Sequence, residues 1–129
     1  MLKDNQPKQT PFYKLPVYNT VRALTIQFQL STQKTRRTFK YGPCADVEYK
    51  LVDLMSKICF AYDYKGDKQK TIQFIQEAID TINYIKIRIR ILYDLQAIKP
   101  EGFDVITNLE ADVSTQLNFW LKSEMRNKV

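Results

Sequence analysis

From Ile72 to Leu92 an apolar side chain returns every third or fourth residue, through Ile75, Ile79, Ile82, Ile85 and Ile89, without a missed step. Such a row faces one side of a 3.6-residue helix and cannot face one side of a strand. Inside it sits the segment IKIRIRI, residues 85–91, whose apolar and basic residues alternate as in a half-buried strand. A strand there would have to begin in the middle of a helical row that continues straight through it. The spacing therefore predicts one continuous helix over residues 68–98. A second apolar face runs through Tyr84, Ile87, Ile91, Leu95 and Ile98. Isoleucine is only a modest helix former, but packing of a long apolar face outweighs that local preference.

The rest of the chain shows the same period. Pro16 can open a first helix, with Val17, Val21, Leu24 and Phe28 on its inner face. The run STQKTRRTFKYGP, residues 31–43, breaks that pattern and ends in Gly42-Pro43. A further helix starts near Pro43 or Cys44 and carries Val47, Leu51, Leu54, Ile58 and Ala61 in steps of four and three. In the turn DYKGDK, residues 63–68, Gly66 is the expected C-cap and Asp67 the expected N-cap. After Pro100 a last amphipathic row runs through Phe103, Ile106, Leu109 or Glu110, Val113, Leu117 and Trp120. With only 3 Gly and 5 Pro in 129 residues, turn signals are too few for an all-β fold.

The predicted fold is therefore all-α: an antiparallel up-down-up-down four-helix bundle over residues 16–124. A flexible N-terminal arm is expected over 1–15 and a charged tail over 125–129. The double apolar face of the third long helix exceeds the needs of one intramolecular seam. Either that helix is central in the bundle, which accounts for much of the surplus because every bundle helix touches two neighbours, or its outer stripe meets another subunit in a symmetric homo-oligomer.

Composition removes several chemistries. The chain has no histidine, so it lacks the usual near-neutral proton shuttle and cannot build a His-containing triad. Two cysteines without a CxxC pair argue against a zinc site or a disulfide framework. Cys44, near a helix start, is the one thiol whose pKa could be lowered there. Glu48, Asp53, Glu77, Asp80, Glu110 and Asp112 read as solvated-face carboxylates rather than di-metal ligands. No Gly-rich phosphate cradle or EF-hand loop is present. The expectation is a non-enzyme that takes no cofactor and no metal. The N-terminus lacks an apolar signal core and no apolar run is long enough to span a bilayer, so a cytoplasmic protein is expected.

Twenty Lys and Arg against 14 Asp and Glu leave a formal charge of +6, which suits a phosphate-rich partner without requiring one. Lys34, Arg36, Arg37 and Lys40 place four cations within seven residues beside Phe39 and Tyr41. They can grip phosphates while the rings stack on unpaired bases, or they can simply favour the negative end of a helix dipole. Lys86 and Arg88 form a second candidate set, with Arg88 placed beside Tyr84 and Asp80. Arg90 can reach Asp94 one turn on, a pairing of structural rather than ligand-binding character.

The segment KIRIRILYDLQAI, residues 86–98, and NFWLKS, residues 118–123, resemble the accessory variability determinants, small four-helix-bundle proteins of diversity-generating retroelements. The matching features are Arg90, Asp94 and Leu95 in an Arg-x-x-x-Asp-Leu arrangement and Trp120 followed by Leu121-Lys122. KTRRTFKYG, residues 34–42, resembles the family's basic segment before its second helix. Asn118 and Phe119 stand where glycines often precede that tryptophan in the family. The intervening-sequence proteins encoded within ribosomal RNA insertions share the bundle and are the nearest alternative. The resemblance implies a positively charged homo-oligomer, typically a pentamer, without catalysis of its own. It implies binding to RNA or DNA through phosphates and to a reverse transcriptase, in support of mutagenic complementary-DNA synthesis. Arg90, Asp94 and Trp120 are then residues of fold or assembly. The alternative is a protein-interaction scaffold without nucleic-acid function.

Overall fold

The computed structural model describes residues 15–126, all of whose regular structure is helical. Five helices follow one another: α1 Pro16–Thr32, α2 Arg37–Lys40, α3 Pro43–Asp63, α4 Lys68–Asp94 and α5 Pro100–Arg126. The arm expected over 1–15 lies outside the described residues except for Leu15, the N-cap of α1. Of the expected tail, two residues belong to α5, which runs on to Arg126. No helix among the described residues is long and apolar enough to cross a membrane.

Proline opens α1, α3 and α5, where its missing N–H costs nothing because the first-turn donors have no intrahelical partner. Asp67 caps α4 as expected, its carboxylate accepting the Lys70 backbone N–H at 3.3 Å. The expected Gly66 cap is corrected: α3 ends at Asp63 with Tyr64 as C-cap, and no described glycine has positive φ. The end of α3 is instead held by Thr71 of α4, buried, whose hydroxyl lies 2.7 Å from the Tyr64 carbonyl and 3.1 Å from that of Ala61.

The long helices α1, α3, α4 and α5 form the four-helix bundle. Each packs on its chain neighbour, and α5 returns to α1. Alternate directions show in the pairings. Phe60 meets Phe74 at a ring-centroid distance of 5.4 Å while Asp46 meets Arg88 at the other end of the same seam. Tyr93 stacks on Phe103 at 4.0 Å, and Ser31 meets Gly102. The predicted apolar rows fill the core: Val17, Val21, Leu24 and Phe28; Val47, Leu51, Leu54, Ile58 and Ala61; Ile75, Ile82, Ile85, Ile89 and Leu92; Ile106, Val113 and Leu117. The alternating segment 85–91 is helix throughout.

Three sequence expectations are revised. First, α4 ends at Asp94 rather than at residue 98. The Gln96 N–H donates to Tyr93 O and the Ala97 N–H to Leu92 O, both at 2.9 Å, with Gln96 at φ 67°. That is the backbone reversal of a Schellman motif, here with glutamine in the left-handed position. It turns Ile98 into the core, so Ile98 leaves the outer stripe to Tyr84, Ile87, Ile91 and Leu95, which stay exposed. Second, the basic segment 31–43, expected only as a break between the first two long helices, carries a helical turn of its own, α2, whose Phe39 packs against the core. Third, Glu110 is not on a solvated face but buried, with 5% of its surface exposed.

Candidate nucleic-acid interface

In an up-down bundle the first and third connections lie at the same end. Here the segment between α1 and α3, with its cations, therefore meets the turn between α4 and α5. Residues of the two connections line one open cleft of about 620 Å³. Lys34 and Arg36 enter from the first connection, and Lys99 from the third. Gln27, Gln33, Gln96, Ser31 and Thr35 supply neutral polar groups, and Leu30, Phe39 and Leu95 supply apolar wall. Glu101, in the first turn of α5, is the one carboxylate on the lining. None of Lys34, Arg36 or Lys99 forms an ion pair with a described acidic residue.

The four cations expected to act together divide around α2. Lys40 leans toward the end of α1, its Nζ donating to Gln33 O at 3.3 Å, and lines a neighbouring groove with Glu48. Arg37 lies 5.9 Å over the ring of Tyr41, which is exposed. Tyr41 thus keeps a face for stacking, whereas Phe39 is partly committed to the core.

The second candidate set lies toward the same end of the bundle but does not line this cleft. Arg88 turns toward α3, where its Nε lies 3.2 Å from Asp46 Oδ2; Asp46, not Asp80, is its partner. The same carboxylate oxygen accepts the Tyr84 hydroxyl at 3.0 Å, which helps push the tyrosine pKa up. Lys86 is half-buried toward α5, close enough for its charge to favour the ionised form of Glu110. Burial wins over that attraction and raises the Glu110 pKa to about 7, with Oε2 making no hydrogen bond.

Arg90 donates from Nε to Asp94 Oδ1 at 3.2 Å, an exposed pair within α4, and its guanidinium lies 5.9 Å over Phe103 of α5. Trp120 packs against the core and, with Leu15, Pro16, Val17 and the exposed Phe119, lines an apolar groove between the ends of α1 and α5. Cys44 is buried beside Thr32, and burial pushes its thiol pKa up rather than down, contrary to the expectation for a helix start. A thiol held protonated is a poor nucleophile.

Sequence reasoning passed over Lys99 and Gln96. Lys99 stands alone among apolar neighbours and Pro100, and only the bundle's topology carries it to Lys34 and Arg36. The signal was present in the short connections, which fix which turns share an end. No family model, curated protein or solved structure matches this chain.

Proposed function

We propose that this chain is a non-catalytic accessory protein that binds nucleic acid and a reverse transcriptase, supporting the mutagenic complementary-DNA synthesis of a diversity-generating retroelement. The observation that carries the reading is the gathering of Lys34, Arg36, Arg37, Lys40 and Lys99 at one end of the bundle, none ion-paired with a described acidic residue. Unneutralised cations at one end make a field that attracts phosphates. Five phosphate contacts on a single strand would give a log–log salt slope of about −3.5 per subunit. The Arg90-Asp94-Leu95 and Trp120 features that resemble the accessory variability determinants support the retroelement setting, and the exposed stripe on α4 supports self-association into the ring of that family.

Co-purification of the chain with a retroelement reverse transcriptase and its template RNA, at low and at high salt, tests the reading. Retention of both at low salt and loss of the RNA at high salt is expected. Failure to hold either at low salt overturns it. A second reading, an intervening-sequence-like interaction scaffold without nucleic-acid function, is favoured by the exposed Ile87 and Ile91. It predicts a protein partner retained after nuclease treatment and no RNA at any salt.

A further inference from the structure

We infer that the cleft between the two connections seats one unpaired nucleotide of the bound strand. Its phosphate lies among Lys34, Arg36 and Lys99, and its base edge lies on the side-chain amide of Gln96. The inference rests on the nucleic-acid reading above and narrows it from a charged end to a built subsite.

Size and lining agree. The cleft, about 620 Å³, lies within the range of roughly 300–1,000 Å³ typical of small-ligand sites. Three cations against the single carboxylate of Glu101 leave a net positive lining. A bare phosphate would need only the cations. The apolar wall of Leu30, Phe39 and Leu95 with five neutral polar side chains beside it suits a ligand that is part charged and part flat and amphipathic. A nucleotide has that composition, and its base edge is free for an amide only when it is unpaired.

The backbone at Gln96 is the independent observation. It holds φ 67°, the sole positive-φ residue among those described. Glycine takes that conformation freely, whereas a residue with a Cβ loses about 1 kcal/mol there. The reversal is closed by the backbone N–H groups of Gln96 and Ala97 rather than by the glutamine side chain, which is exposed. Glutamine thus occupies a glycine position on the lining of the cleft. Its amide offers one acceptor and two donors, the complement of a base edge.

The test uses the full chain and fluorescence anisotropy with a labelled, unstructured single-stranded RNA and a duplex of equal length. Gln96→Gly should melt higher than wild type yet bind the single strand about tenfold more weakly, the loss of one base contact, with an unchanged salt slope. Lys99→Ala should weaken binding severalfold and flatten the slope by about 0.7, one phosphate contact. Lys65→Ala, at the opposite end of the bundle, should bind as wild type does. Duplex binding should be insensitive to Gln96→Gly. If the wild-type chain binds RNA and both Gln96→Gly and Lys99→Ala match it, the cleft is overturned while the wider reading stands. If the wild-type chain binds no RNA at low salt, both fall.

Discussion

Gly102 of α5 meets Ser31 of α1 so closely that a Cβ on the glycine would stand 2.5 Å from the serine Oγ and 3.1 Å from its Cβ. The hydroxyl is itself engaged, accepting the Gln27 side-chain amide at 3.1 Å. Turning it aside would break that bond and still leave the two Cβ atoms too near. Alanine brings up to about 1 kcal/mol of helix propensity, while overpacking a close contact costs about 1–3 kcal/mol. Gly102→Ala should therefore lower stability by about 1 kcal/mol, read as a lower urea midpoint at unchanged slope. A midpoint at or above wild type would show that α1 yields at no cost.

Glu110 makes the bundle sensitive to pH in an unusual direction. An ordinary glutamate releases its proton near 4.5, but in the folded chain this carboxyl keeps it to about 7, because burial penalises the charge more than Lys86 relieves it. Between those values the folded state binds more protons than the unfolded one, so stability falls as pH rises. The contribution is fully present below 4.5 and lost above 7, and spans at most roughly 3 kcal/mol. Thermal melts of wild type from pH 5 to pH 8 should fall, and Glu110→Gln should flatten that decline. Equal pH slopes in the two proteins would mean that Glu110 titrates as an exposed residue does.

Much of this fold was legible because core faces are written redundantly. Each long helix repeats its apolar row for several turns, so no single residue decides the assignment. What failed were features decided by one residue or by distant ones. Ile98 continues the spacing of α4, yet the helix stops first, since the reversal at Gln96 uses backbone bonds that a glutamine does not advertise. Glu110 occupies a position in an apolar row, and only the packing of α5 decides that it is inside. Half of the candidate site was visible as Lys34 to Lys40, a local cluster. The other half, Lys99 and Gln96, is local to nothing and joins it through topology.

Asp46 holds two groups of α4 at once, the Arg88 guanidinium and the Tyr84 hydroxyl, through the same oxygen. The pair is about a third exposed, so its worth is that of a partly solvated bridge, within about 1 kcal/mol. Asp46→Asn should destabilise by no more than that while freeing the charge of Arg88. If α4 cations take part in phosphate binding, RNA affinity should rise in Asp46→Asn and drop in Arg88→Ala made on that background. Anisotropy titrations of the two variants decide it; affinity equal to wild type in both would remove Arg88 from the interface.

Self-association through α4 gives the last prediction. Ile87 is 62% exposed and Ile91 44%, with Tyr84 and Leu95 continuing the stripe at 39% and 51%. Each isoleucine contributes about 2 kcal/mol when buried against a partner. Replacing both by lysine should therefore weaken association by roughly a thousandfold. Neither side chain belongs to the bundle core, so the helical signal and the cooperative melt should persist. Sedimentation should show a multimer for wild type and a monomer for the Ile87→Lys, Ile91→Lys chain at the same concentration. A wild-type monomer at high concentration would remove the assembly, and a multimer in the double variant would move the interface to another face, with the exposed Phe119 beside the Trp120 groove the next surface to substitute.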